Sequence, residues 1–206
     1  MTGELVVDFI TSLDGYASAE GWPGWWGIES PEYLAWIGER PDRDHTLLMG
    51  ARTYRLMHSF AAQPELSNPN ATEEETAATT GLTAMPKIVI SNSLPEPLEW
   101  ANSTLVRGDA AEEVARLKRG GVNLSTIGSL SLCRSLLQAG LVDRYRVVIF
   151  PVITGATGRE RIYDGYPDVG LEMVDHRTFD NRVQLVEYRP TLLDGPPRPG
   201  PERTYD

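Results

Sequence analysis

A chain of 206 residues that is 41% hydrophobic and 23% charged is long enough for one domain with a substantial buried core, and no break in composition calls for a second. The formal net charge of -10 argues against a phosphate-backbone partner, so nucleic acid is not an expected ligand. The lone cysteine, Cys133, excludes a disulfide within the chain; with an acid at Glu4 where a secretion signal is basic, and no apolar run near ~18 residues, the sequence reads as cytoplasmic with no membrane partner.

Leu5 to Ile10 is a β-branched run closed by Ser12-Leu13-Asp14-Gly15, which predicts a buried strand running into a tight turn. Gly21 to Gly27 is too rich in glycine and tryptophan for a regular element and too apolar for a solvated linker, so a loop folded over a pocket is expected. Ser30 then reads as an N-cap with Pro31 in the first helical position, and Tyr33, Leu34, Trp36 and Ile37 recur at helical spacing. His45 to Gly50 predicts a second strand and Thr53 to Phe60 a second helix. Residues 61–84 read as a mobile excursion with at most a fragment of helix, and Glu73-Glu74-Glu75 as a solvated run.

Lys87 to Ile90 predicts a third strand, Ala110 to Lys118 a charged amphipathic helix, and Leu124 to Ile127 a fourth strand. Gly128-Ser129 opens a helix ending at Ala139-Gly140, with Cys133 as a small buried side chain inside it. Tyr145 to Ile153 is apolar enough for a central strand. Leu171 to Arg177 and Val183 to Arg189 alternate around Phe179-Asp180-Asn181-Arg182, a hairpin. The domain therefore spans 1–190, and the proline-rich tail 191–206 is expected to be disordered. Strands alternating with helices and ending in a hairpin imply an α/β fold: a mostly parallel sheet, helices on both faces, and an antiparallel edge.

Two strand-to-helix junctions stand out. Met49-Gly50-Ala51-Arg52-Thr53-Tyr54 and Thr126-Ile127-Gly128-Ser129-Leu130-Ser131 each place small or hydroxylated residues where a helix start offers unpaired N–H groups. With the helix dipole and the Arg52 cation, these favour an anion such as a dinucleotide pyrophosphate, although each glycine would also suit a plain tight turn. No nucleophile elbow or phosphate loop occurs. His45, His58 and His176 show no metal-ligand spacing with one another or with Cys133, so no metal is expected and each histidine reads as a surface or strand-end residue. The tryptophan cluster suits either core or a ligand-facing wall.

Read in order, the segments resemble the reductase domain of the bifunctional riboflavin deaminase-reductase, over residues 4 to about 190. The resemblance is carried by Val6 to Tyr16, by Met49 to Tyr54, by Pro86 to Ser91, by Ile127-Gly128-Ser129, by Gly140 to Asp143 and by Pro151 to Gly155. It implies the three-layer fold shared with dihydrofolate reductase, and hydride transfer from NADPH to a small heterocyclic or carbonyl substrate. It further implies that Gly50, Arg52, Thr53, Ile127, Gly128, Ser129 and Leu130 grip the cofactor phosphates, with Ser91 beside the adenosine ribose. Asp14, Trp22, Trp26 and Tyr33 would border the nicotinamide and substrate. Ala51 and Asn92 stand where the family carries residues that help hold the 2′-phosphate, so NADH stays open beside NADPH.

The deaminase half with its zinc motifs is absent from the sequence. A homodimer is expected from the resemblance, with Tyr145 to Ile153 and the hairpin around Asp180 as candidate surfaces. Folate reductases carry an acid where Tyr33 stands, so dihydrofolate is not the expected substrate; the alternative to a reductase is a dinucleotide-binding module of the same fold without catalysis.

Overall fold

The computed structural model describes residues 2–21, 26, 28, 30–63 and 72–196. Strand β1 (Leu5–Ser12) is followed by a short β2 (Tyr16–Ala19), then by α1 (Pro31–Glu39), β3 (Thr46–Gly50), α2 (Ala51–Ala62) and α3 (Glu73–Gly81). Next come β4 (Lys87–Ile90), β5 (Ser103–Val106), α4 (Ala110–Arg119), β6 (Leu124–Thr126), α5 (Leu130–Gln138) and β7 (Arg144–Phe150). A 3-10 turn at Gly155–Thr157 leads to β8 (Gly158–Arg161), and β9 (Val169–Phe179) and β10 (Val183–Leu192) close the fold. Eight strands form one sheet in the order β5-β4-β3-β6-β1-β7-β10-β9, parallel except for β10, while β2 and β8 form a separate antiparallel ribbon.

Strand alternation decides which side each helix covers, because successive side chains leave a strand on opposite faces. Leu5, Val7 and Phe9 of β1, with Leu48 of β3 and Ile88 and Ile90 of β4, pack against Val114 of α4 and Leu132, Cys133, Leu136 and Leu137 of α5. Leu47 and Met49 of β3 and Val89 of β4 face the other way, onto Tyr54 of α2 and Trp100. Tyr33 and Trp36 of α1 cover Val148, Phe150 and Leu185 near the hairpin. Each fully buried aliphatic side chain in these clusters contributes about 1.5–3 kcal/mol relative to exposure.

The hairpin forms as expected, with Asp180 and Asn181 both at positive φ, the geometry that suits a two-residue turn between twisted strands. It also caps α1. The Ser30 hydroxyl does not bond its own helix but donates to Asp180 Oδ2 at 2.6 Å, and the same oxygen accepts the Glu32 N–H at 3.2 Å. Glu32 Oε2 in return accepts the Asp180 N–H at 2.6 Å, so a reciprocal cap is made between segments far apart in sequence.

Several expectations need correction. The 61–84 segment is not merely an excursion: α2 runs on to Ala62, and α3 is a helix of nine residues with a capping box. The Thr72 hydroxyl accepts from Glu75 N–H at 3.2 Å while the Glu75 carboxylate accepts from Thr72 N–H at 3.0 Å, which makes Glu75 a buried cap rather than part of a solvated run. His45 stands immediately before β3, at the strand end expected for it, and is buried there with its Nδ1 3.3 Å from the Leu124 carbonyl. Strand β7 lies between β1 and β10, so it offers no edge to a second subunit, and Asp180 is spent on the α1 cap. Strand β10 extends through Pro190 to Leu192, and the remainder of the tail from 197 falls outside the described residues. Among the described residues no helix is long and apolar enough to cross a membrane.

Candidate cofactor and substrate cleft

Strands β3 and β6 are neighbours in the sheet, yet α2 leaves β3 toward one face and α5 leaves β6 toward the other. Where adjacent strands send their helices to opposite faces, a crevice opens beyond their carboxyl ends. Here it is a cleft of about 880 Å³, within the range of small-molecule pockets. Gly50, Arg52 and Thr53 line it from one side and Ile127, Gly128, Ser129 and Leu130 from the other, so these expected cofactor contacts are brought together.

Ser129 joins the two junctions. Its hydroxyl accepts the Gly50 N–H at 2.8 Å and donates to Thr53 Oγ1 at 2.8 Å. To reach them Ser129 sits in the left-handed region at φ 71°, a conformation that costs a side-chain-bearing residue about 1–2 kcal/mol. Because that hydroxyl bridges the junctions, it does not cap its own helix, and α2 likewise starts without a side-chain cap. Both helices therefore start at the cleft without a side-chain cap, the setting in which backbone N–H groups at a helix start are open to an anion. Gly128 precedes at φ 63°, which glycine adopts freely, and its carbonyl accepts from Cys133 Sγ at 3.1 Å. Cys133 is fully buried, and burial pushes its thiol up to about 12.

The other expected site residues divide. Tyr33 borders the cleft while stacking on Trp36 with ring centroids 6.0 Å apart, and burial raises its phenol well above the ordinary value. Asp14 stands apart from the cleft. Its carboxylate accepts from the Ser12 hydroxyl at 2.7 Å and from the N–H groups of Thr154 and Gly155, which pins the loop after β7 and holds its pKa at about 2. Ser91 is likewise drawn away, its hydroxyl accepting the N–H groups of Ser93 and Leu94 at 3.1 Å each. Trp26 packs against the Tyr33, Trp36 and Phe150 cluster instead of forming a wall of the cleft. Trp22 lies outside the described residues.

Sequence reasoning missed a ladder of charge on the α1 face. Asp8, Arg146 and Glu187 are paired in register across β1, β7 and β10. Arg146 donates to Asp8 at 3.1 Å, to both oxygens of Asp42, and to Glu187 at 2.7 Å. Burial would pull the Arg146 guanidinium down, but the charges of Asp8, Asp42 and Glu187 outweigh it and the net shift is upward. Arg40, just past α1, donates to Asp8 at 2.8 Å, and both Asp8 and Arg40 border the cleft. A carboxylate thus reaches the neighbourhood of Tyr33 from β1. The signal was an aspartate inside the otherwise apolar run Leu5 to Ile10.

Three further features complete the walls. Arg52 forms an ion pair with Glu160 of β8, spanning the cleft mouth. Helix α3 supplies Thr76, Thr79 and Leu82. Arg134 of α5 borders the cleft with its buried Nε unpartnered among the described residues.

The family model described as the RibD C-terminal domain matches residues 4–185. A Bacillus subtilis (strain 168) protein described as uncharacterized protein YyaP is 26% identical over 185 residues, which is 89% of this chain and 93% of that one. The crystal structure of a putative riboflavin biosynthesis protein from Shewanella sp. PV-4 superposes with a TM-score of 0.63 at 20% identity, covering 93% of this chain and 99% of the other. The Thermotoga maritima diaminohydroxyphosphoribosylaminopyrimidine deaminase/5-amino-6-(5-phosphoribosylamino)uracil reductase gives a TM-score of 0.62 at 14% identity, with 92% of this chain matching 57% of that one.

Proposed function

Since the chain belongs to the RibD C-terminal domain family, we propose that it is a pyridine-nucleotide-dependent reductase, using NADPH in preference to NADH, that acts on a small heterocyclic or carbonyl substrate. The observation that carries the reading is the meeting of two uncapped helix starts, α2 and α5, on one cleft. Their N–H groups would hold the negatively charged phosphates, and the Ser129 bridge keeps the two sets in register. The Gly128 backbone faces this space without a side chain, which leaves room for a phosphate to approach. When bound, the nicotinamide supplies the hydride. The protein orients the substrate against it, with Tyr33 and Asp8 on the substrate side and Arg52 and Glu160 across the mouth.

What supports NADPH is Arg107, at the end of β5, whose guanidinium donates to the carbonyls of Ser91 and Leu94 and brings a cation beside the turn after β4. Asn92 itself is tied to Gly108 through both its amide groups. The test is a fluorescence and thermal-shift titration with each nucleotide. Stabilisation by NADPH exceeding that by NADH is expected, since a ligand that binds only the folded state raises the melting temperature. No shift with either at ~1 mM would overturn the reading. Binding without turnover on any heterocycle would favour the non-catalytic module instead.

The homodimer belongs to the same proposal, with its surface moved to the open edge of β9, where Leu171 and Met173 are about half exposed. Light scattering that finds a monomer at micromolar concentration would count against it.

A further inference from the structure

We propose that Glu160 is an internal counter-anion of the cleft, holding Arg52 until the anionic group of a ligand, the pyrophosphate of a dinucleotide, takes that guanidinium over. The inference rests on the phosphate site of the reductase proposed above. Arg52 is misplaced by helix electrostatics alone. It occupies the second position of α2, and the first turn of that helix carries neither an acid nor a side-chain cap. The positive end of a helix dipole disfavours a cation there, so Arg52 is stabilised only by an anion brought from elsewhere. Glu160 of β8 brings one from across the cleft mouth, and among the described residues it is the acid ion-paired with Arg52. An internal carboxylate thus stands where the ligand's negative charge would go.

The backbone holds that carboxylate in place. Glu160 sits at φ 60°, where glutamate is uncommon and a side-chain-bearing residue is strained. Its neighbours on either side are paired with β2, Arg159 with Ser18 and Arg161 with Tyr16, and the Ile162 N–H donates to the Gly15 carbonyl at 2.9 Å. The ribbon therefore keeps residue 160 in a conformation it would not choose. Strain maintained by the surrounding structure clusters at ligand clamps and switches. An ion pair on the surface returns little for it, since Arg52 is 85% exposed and such pairs are weak in water. Glu160, at 31%, is the fixed partner, and the arginine is the one that turns. A carboxylate beside a phosphate site also repels its ligand, so Glu160 sets the affinity below what the N–H groups and Arg52 would give together.

The test is isothermal titration calorimetry with inorganic pyrophosphate, NADPH and NADH on wild type, Glu160→Gln, Arg52→Gln and the double variant. Glu160→Gln should bind pyrophosphate and NADPH about three- to tenfold more tightly, the size of one charge contact in water. At ~1 M NaCl, where charges act over only about 3 Å, that gain should fall below about twofold, which a merely structural effect of the substitution would not do. Arg52→Gln should weaken binding about threefold in wild type and about tenfold in the Glu160→Gln background, because only there is the guanidinium uncommitted.

Unchanged affinity in Glu160→Gln, a gain that persists at high salt, or equal losses from Arg52→Gln in the two backgrounds would each overturn the assignment. Should Glu160→Gln fold poorly, Glu160→Asn removes the charge with a residue that tolerates φ 60° and should show the same gain. If pyrophosphate behaves as stated while neither NADPH nor NADH binds, the reductase reading falls and the Glu160 assignment stands. If the nucleotides bind and the Glu160 variants match wild type, the assignment falls and the reductase reading stands. Should neither pyrophosphate nor a nucleotide bind any of the four proteins, both fall.

Discussion

Ser129→Ala tests the two-junction cleft most directly. The change removes the acceptor for the Gly50 N–H and the donor to Thr53 Oγ1, and adds nothing. An unpaired donor costs about 1–3 kcal/mol when fully buried; here the bond is part-buried on a cleft that water reaches, so about 1.5 kcal/mol is expected. For a domain of this size that lowers the melting temperature by about 3–6 °C. Ser129→Gly loses the same bonds but relieves the left-handed strain at φ 71°, so it should be about 1 kcal/mol more stable than Ser129→Ala.

Both variants should bind NADPH about tenfold more weakly, since the two sets of N–H groups lose their common register. Urea denaturation gives the stabilities and fluorescence titration the affinities. If Ser129→Ala matches wild type in both, the bridge does not hold the cleft; if Ser129→Gly restores full affinity, strain at Ser129 and not the hydroxyl was what mattered.

Gly128→Val should fold but lose at least about tenfold in NADPH affinity, because a β-branched residue at φ 63° is strained and its methyls project toward Thr53, whose Cγ2 would lie 3.8 Å from the new Cβ. An unchanged affinity in a well-folded protein would move the phosphate site elsewhere. Thr72→Ala should cost about 1 kcal/mol through loss of the capping box and loosen α3, measured as faster amide exchange over Glu73–Gly81. Exchange as slow as in wild type would show that α3 is held by packing alone. Asp14→Asn should destabilise at neutral pH and not at pH 2. The folded carboxyl is depressed from 3.8 to about 2, chiefly by the Ser12 hydrogen bond, so its stabilisation is present above about 4 and lost as pH falls through about 2. A difference between wild type and variant that does not shrink between pH 4 and pH 2 would contradict this.

Much of the architecture was legible because local sequence and final environment agree. Lys87 to Ile90 and Leu130 to Gln138 are strand and helix in both readings, since their apolar spacing matches the faces they bury. Both glycine junctions were visible for the same reason: a strand end, small residues and a helix start lie within a few positions. Strands β2 and β8 were not visible, because Tyr-Ala-Ser-Ala and Gly-Arg-Glu-Arg carry no alternation of apolar and polar residues and exist as strands only through pairing with each other. The capping box at Thr72 and Glu75 was readable in principle, but the acidic run around it looked like a solvated face.

The sequence alone determined the α/β class, the order of most elements and the two glycine-bearing strand-to-helix junctions, because those follow from propensity and periodicity within a short window. Tertiary structure alone decided that the junctions share one cleft, that Asp14 and Ser91 turn to their own loops, and that Asp8 meets Arg40 and Arg146. Each of those depends on strand order and register: Asp8 and Arg146 are 138 residues apart in the chain and become neighbours only when β1 and β7 pair. Coulomb and hydrogen-bond energies act over a few ångströms of space, and no pattern confined to one segment can report them.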